Sequence, residues 1–422
     1  TPRCTACLKI STLQVMKKEE FYKDARHDLP GPLASVRVVD ATTAWAGPMA
    51  ACLLADYGAD VIRVAMPGDE GLPWKPLISG TSRSFGEETV NRNKRSVAID
   101  LREPAGAETF LTLVASADMV IENFKPGTLA GGGVGYDDCR KAKPDIVYLS
   151  VSGWGQFGPE SQRPGYDPGA LAHSGWMALN GSKDGPPTKA PTFLADDLAG
   201  LHGALAALAA LRHRDATGEG QHVDVSLLDS IIYQSNGYLT LGATGDALER
   251  WGSEVRVCAP TNCYQCADGH VFLALILDSH WVRLTEALGC PELGRDPRYL
   301  TNEDRVAHRD EVDSLVADWC RDRPQEEVVS TIDAAGIVIS VVNSFADAAQ
   351  DQHVLDRDLL QHTELIDGSS APLTGPAAKF SRTPVSVRHG APSPNQHTDE
   401  ILAEVGVTKE QLDLLRQAGI ID

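Results

Sequence analysis

The chain has no stretch of about 18 or more apolar residues, so no membrane span is expected. Basic residues are scarce: 38 Lys+Arg stand against 58 Asp+Glu, a formal net charge of −20. So acidic a chain lacks the clustered cations that nucleic-acid phosphates or anionic lipid surfaces require. Nine cysteines spread over 422 residues make no disulfide framework. The segment Thr1–Val15 has Lys9 inside its apolar part and no clear apolar core, so it does not read as a signal peptide. A reduced, cytoplasmic enzyme is the expectation. Several catalytic signatures are also missing. There is no G-x-x-x-x-G-K-[ST], no H-E-x-x-H and no G-x-S-x-G, which excludes a P-loop, a zincin helix and a nucleophile elbow.

What is present is an ordinary folded composition, 42% hydrophobic and 23% charged, long enough for two or three domains. Met16-Lys17-Lys18-Glu19-Glu20 reads as a natural translation start, and residues 1–15 as a remnant or a misassigned start. Cys4-x-x-Cys7 with Cys263-x-x-Cys266 is read as a chance pairing rather than a zinc site, because such pairs usually lie closer in sequence.

From Leu33 the pattern is α/β. Val36–Val39 is a β-branched run, Pro48 suits the first turn of a helix, and Asp60–Val64 is the next strand. Strands Ser96–Ile99, Met119–Ile121 and Asp145–Val151, with a helix over Ala105–Ala115, continue a parallel sheet with right-handed crossovers. Residues 153–192 are rich in Gly and Pro and read as a long, partly irregular segment. The periodicity predicts a helix over Asp197–Arg214, apolar nearly all round and so buried in the core. A strand over Gln221–Val225 and a helix over Leu227–Gly237 follow. The predicted organisation is an extension over 1–30, a large Rossmann-like domain over 31–238 and a linker over 239–262. A small α/β domain over 263–350 and a return segment over 351–422, ending in two helices, complete it.

A ligand is expected at the carboxyl ends of the parallel strands, although the first βα loop, Asp40–Gly47, lacks G-x-G-x-x-G. That disfavours a flavin or NAD enzyme. Gly131–Gly135 reads as a flexible turn. Arg92, Lys94, Arg95 and Arg102 form a cationic stretch, either an anion site or a solvated turn.

Six motifs then occur in order: Ala46-Gly47-Pro48 with Asp60–Val64, Asn91–Ser96, Glu122–Gly127, Ser152–Gly155, Arg163–Asp167 and Thr217–Gln221. With them the chain resembles the class III CoA-transferases, such as formyl-CoA and carnitine CoA-transferases, from about Leu33 to the C-terminus. The resemblance implies a doubly wound parallel-sheet large domain with a smaller α/β domain, two such chains interlacing as linked rings. It implies an aspartate nucleophile in a short segment before the long helix, here Ala195-Asp196, with Asp197 as a one-residue ambiguity. Asp196 would attack an acyl-CoA thioester and carry anhydride and thioester intermediates. For coenzyme A it points to Ala44, Trp45, Ile99, Arg102, Asn123, Phe124, Thr128 and Tyr166. Many relatives carry a basic residue where Met66 and Gly131 stand here. Cys258–Asn262 replaces the glycine run of formyl-CoA transferase. No permanently bound cofactor or metal is implied. The partners are an acyl-CoA, a carboxylic acid and an identical or related subunit. Benzylsuccinate with succinyl-CoA is the acceptor and donor pair suggested by Trp45 and Tyr166. Two other readings stay open. An α-methylacyl-CoA racemase is disfavoured because Gly165-Tyr166-Asp167 lacks the histidine of its Gly-His-Asp pattern. A largely structural subunit of a heteromeric transferase is the other.

Overall fold

The computed structural model describes residues 16–69, 71 and 75–422. Cys4 and Cys7 lie outside them. The chain divides into two compact units. The first comprises the chain up to Tyr166, Ala195–Ser230 and Asp358–Asp422; the second comprises Asp167–Leu194 and Ile231–Arg357.

The first unit is built on six parallel strands: β1 (Arg37–Ala41), β2 (Asp60–Ala65), β3 (Arg95–Ala98), β4 (Met119–Glu122), β5 (Val147–Ser152) and β6 (His222–Ser226). Their spatial order is β3-β2-β1-β4-β5-β6. Helices cross between them, as right-handed βαβ units require. Val39, Ile62, Val97, Val120 and Tyr148 form part of one core with Phe110 and Leu113 of the helix Pro104–Val114 and with Ile401 and Leu402 near the C-terminus. A sheet buried on both faces explains why β1 to β5 read as continuous apolar runs instead of alternating ones.

The C-terminal return is pinned by charge. Arg37 and Arg95 both bond Asp60, at 2.9 and 2.8 Å, and both reach Glu404 on the helix Thr398–Glu404, at 2.8 and 2.7 Å. Shared carboxylates make a network, which holds where an isolated surface pair contributes little.

The second unit has a three-stranded antiparallel sheet, β7 (Thr261–Gln265), β8 (His270–Ala274) and β9 (Val338–Val341), with β8 central. Trp281, Leu284, Val312, Val316, Val328 and Ile332 from three helices close its core.

Three expectations need correction. The long helix runs over Leu194–Thr217 and is not buried all round. Ala199, Gly200, Gly203, Ala204, Ala207 and Ala210 face inward, whereas Leu201 and Leu205 are 52% and 63% exposed. Small residues allow close approach to the sheet, so the bulky ones are left on the outer face. By length and composition this helix passes as a membrane span, yet its alanine and glycine face is packed inside the first unit. The helix predicted over Leu227–Gly237 stops at Tyr233, because Asn236 and Gly237 take left-handed backbone angles before a separate helix, Tyr238–Ala243. Residues 239–262 are part of the second unit, not a linker outside it, since Thr261 begins β7 and β7 pairs with β8. The Gly/Pro-rich segment 153–192 is partly irregular, as expected: it carries only the short helices Asp167–His173 and Trp176–Leu179, and is divided at Tyr166 between the two units.

Candidate active site

The strand order reverses between β1 and β4. The connections leaving these neighbours diverge there, and a crevice opens beyond their carboxyl ends. A cavity of about 490 Å³ occupies this end of the sheet, lined among others by Ala44 after β1, Met66 after β2, Ile99 after β3 and Phe124 after β4.

The loop after β1 is held from both sides. Asn123 accepts from Thr43 N at 2.8 Å and donates to Thr43 O at 2.6 Å, so the β1 and β4 loops are clamped together. Thr42 bonds the Asp40 carboxylate through its amide, at 3.1 Å, and through its hydroxyl. Ala44 takes φ +64°, a strained value for a residue with a Cβ, and this turns the chain into the helix Ala46–Asp56. Gly47 is obligatory at that turn: a Cβ there would lie 2.7 Å from Thr42 Cγ2 and 2.9 Å from Asn123 Cβ.

Asp196 and Asp197 lie in the first turn of the long helix and both are half-buried. Asp196 is therefore inside the helix rather than capping it. Gly200, one turn on, sits against the start of the helix Ala46–Asp56; a Cβ on it would come 2.9 Å from Met49 Cγ and 3.1 Å from Ala46 O. Residues four apart share a helix face, so Asp196 lies on the face turned toward that helix's N-terminus. Trp45, the residue before that helix, donates its indole Nε1 to Asp197 Oδ1 at 2.7 Å. Burial raises the Asp197 carboxyl above its ordinary range, and the Trp45 bond opposes the rise. The amino ends of two helices thus converge beside a pair of carboxylates, one residue from the cavity wall at Ala44.

The other residues singled out from the sequence separate into groups. Ala44, Ile99 and Phe124 share the cavity. Asn123 braces its loop. Arg102, Thr128 and Tyr166 do not line it: Arg102 is paired to Asp100 at 2.7 Å with its side chain 77% exposed, Thr128 opens a short surface helix, and Tyr166 is 73% exposed. The cationic stretch is not an open anion site. Arg92 pairs with Asp56 at 2.7 Å, Lys94 with Asp40 at 2.7 Å, and Arg95 joins the Asp60 network. In a chain of net charge −20, each cation on this stretch is answered by a nearby carboxylate. Gly131 ends the short helix Thr128–Gly131 and Gly133 has φ +74°, as a turn requires. Among the described residues no group of His, Cys, Asp and Glu is disposed to hold a metal ion.

Sequence reasoning missed the buried polar frame beneath the site. Arg63, at the cavity wall, bonds Glu87 at 2.6 Å and Asp69 at 3.2 Å. Glu122, the last residue of β4, accepts from Phe124 N at 2.8 Å, and burial pushes its carboxyl up to about 6. Beside it Ser150 Oγ lies 2.9 Å from His222 Nε2, and burial lowers the imidazole's pKa. The available signal was a charged residue placed inside or at the end of an apolar strand.

A family model described as CoA-transferase family III matches residues 33–398. The chain belongs to CoA-transferase family III. It is thus an enzyme, a CoA-transferase. It is 37% identical over 399 residues to a succinyl-CoA–L-malate CoA-transferase beta subunit of Chloroflexus aurantiacus, covering 92% of this chain and 98% of that protein. It is 34% identical over 393 residues to a succinate–glutarate CoA-transferase of Agrobacterium fabrum, covering 90% and 97%. A crystal structure of a CAIB/BAIF family protein from Brucella suis superposes with a TM-score of 0.79 at 31% identity, covering 89% of this chain and all of that one. The α/β fold expected from sequence is thus the fold of a family III transferase.

Proposed function

We propose that this CoA-transferase moves CoA from succinyl-CoA to a short dicarboxylate, with Asp196 as nucleophile. The observation that carries the reading is the placement of Asp196. It sits on the helix face turned toward the start of Ala46–Asp56, next to Asp197, whose indole partner Trp45 adjoins cavity residue Ala44. The names of the malate and glutarate relatives support the donor and the acceptor class.

The steps balance as four acyl transfers. An Asp196 carboxylate oxygen attacks the thioester carbonyl; the C–S bond breaks and CoA thiolate leaves, giving a mixed anhydride. The thiolate attacks the Asp196 carbonyl of that anhydride; the C–O bond breaks, succinate departs and an aspartyl-CoA thioester remains. The acceptor carboxylate attacks this thioester, releasing CoA thiolate again. The thiolate finally attacks the acceptor's carbonyl, yielding the new acyl-CoA and the free Asp196 carboxylate. Backbone N–H groups at the two converging helix starts supply positive potential for the oxyanions. The cavity holds part of the CoA, with Phe124 and Ile99 as apolar surface.

We also propose that a second copy covers the exposed leucine face of the long helix, as an interlaced dimer would. A monomeric mass by light scattering overturns that part. The catalytic reading is tested by incubating the protein with succinyl-CoA, trapping with hydroxylamine and mapping the hydroxamate by peptide mass. Label on Asp196, and loss of transfer in Asp196→Ala, are expected. Full turnover by Asp196→Ala refutes the assignment. A screen of glutarate, malate, mesaconate and benzylsuccinate as acceptors identifies the acid.

A further inference from the structure

Asp197 has no part in the steps above, although it is as much a carboxylate as its neighbour. Its surroundings give it a different task. Trp45 is 8% exposed, and a buried indole N–H requires an acceptor; Asp197 Oδ1 at 2.7 Å is that acceptor. The bond joins two places that matter. On one side is the residue next to Asp196. On the other is the residue next to Ala44, which is held at φ +64° and lines the cavity. Both supports are themselves rigid. Asn123 clamps Thr43 by two hydrogen bonds, and Gly200 sets the spacing between the two helices by direct contact with Ala46 O and Met49. Backbone contact at Gly200 determines how near the helices come. It also sets which face of the long helix meets Ala46–Asp56. The Trp45–Asp197 bond adds a second tie one turn earlier, at the residue next to Asp196.

We propose that Asp197 is a positioning residue for CoA transfer, its hydrogen bond to the Trp45 indole locking the first helical turn so that Asp196 presents one oxygen orientation in every step. This rests on the reading of Asp196 as nucleophile. The chemistry makes such a lock valuable. Asp196 must attack once and be attacked twice, at its own carbonyl carbon, without leaving its place. A displacement of about 1 Å at such a centre costs on the order of a hundredfold in rate. The pairing also distinguishes the two aspartates: Asp197 Oδ1 is the one that accepts from the Trp45 indole. Phe85 packs by the indole, with ring centroids 6.4 Å apart, and limits its swing.

The test uses the full chain with succinyl-CoA and glutarate. Asp197→Ala and Trp45→Phe each lower kcat by about ten- to a hundredfold, with KM for succinyl-CoA changed by less than about threefold. The double variant is no worse than the poorer single one, since both remove the same bond. Asp197→Asn recovers most of the loss, because its amide oxygen accepts the same hydrogen bond. Hydroxylamine still labels Asp196 in Asp197→Ala, more slowly. A kcat for Asp197→Ala within about twofold of the parent overturns the proposal, as do additive losses in the double variant or an Asp197→Asn as slow as Asp197→Ala. Label on Asp197 itself overturns it too. If Asp197→Ala fails to fold, Trp45→Phe and Asp197→Asn decide by the same criteria. Turnover surviving in Asp196→Ala is a separate result, which removes the nucleophile assignment whatever the Asp197 variants do.

Discussion

Lys94 Nζ lies 2.7 Å from Asp40 Oδ2, and neither side chain has more than 1% of its surface exposed. The same ammonium donates to Pro48 O at 3.0 Å and Asn91 Oδ1 at 2.9 Å, so three donors are matched by three acceptors. Asp40 in turn orients Thr42. The pair is a strut under the β1 loop. Breaking a buried pair from one side leaves an uncompensated charge, which costs about 3–5 kcal/mol. Lys94→Met is expected to destabilise the protein by that order in denaturant titration, and Lys94→Met/Asp40→Leu by less. Equal loss in both variants refutes the strut.

Gly200 and Gly203 make a graded comparison. Alanine gains up to about 1 kcal/mol of helix propensity over glycine. At Gly203 the nearest atom to a new Cβ is Leu149 Cδ2 at 3.2 Å, the far end of a flexible chain. At Gly200 it meets Met49 at 2.9 and 3.0 Å and the Ala46 carbonyl at 3.1 Å. Gly203→Ala is therefore expected near neutrality. Gly200→Ala should lose about 1–2 kcal/mol net through overpacking, and lose activity as Asp196 shifts. Thermal melts with transfer assays check this; indifference at Gly200 speaks against the helix contact.

Glu122 gives a pH dependence. Burial, and Asp224 nearby, raise its carboxyl from 4.5 to about 6, against the opposing bonds from Ser150 and Phe124 N–H. The folded protein then holds more protons than the unfolded chain between about pH 4.5 and 6. This residue's contribution therefore makes stability fall as pH rises through that window and level off above it, a cost of about 2 kcal/mol at neutral pH. Glu122→Gln keeps an oxygen for Phe124 N–H and removes the charge. Its stability at pH 7 relative to the parent is expected to rise, with the difference vanishing below pH 4.5. A difference that stays constant from pH 4 to 7.5, in about half-unit steps, contradicts this.

Met66 faces a cavity whose arginine, Arg63, is already bound to Glu87 and Asp69. Met66→Arg adds a cation where a phosphate of CoA would pass. KM for succinyl-CoA is expected to fall by about three- to tenfold at low salt, and the gain to shrink as ionic strength rises. An unchanged KM at low salt places the CoA phosphates elsewhere.

The α/β character, the parallel direction of the strands and a long helix from Asp197 were all legible in the sequence; that the helix begins at Leu194 and so includes Asp196 was not. Each rests on local signals: β-branched runs, Pro at a helix start, a 3.6-residue period. The irregular strand β7 was missed, since its partner β8 supplies its hydrogen bonds and its own pattern is weak. The roles of Arg92, Lys94 and Arg95 were misjudged for a related reason. As a sequence they are a cationic run. In the fold each meets a carboxylate from a distant element, Asp56, Asp40 or Asp60.

Sequence alone determined the kind of fold, because hydrophobic period survives without any contact being known; Asp196, on which CoA transfer is proposed to turn, was pointed to by the family resemblance that the ordered motifs carry. Only the tertiary structure decided which cations are neutralised, which leucines remain outside and which of two adjacent aspartates is tied to an indole. Those outcomes depend on pairings between residues as far apart as Trp45 and Asp197, set by how β1, β4 and the long helix pack. No local pattern encodes a distance across the fold.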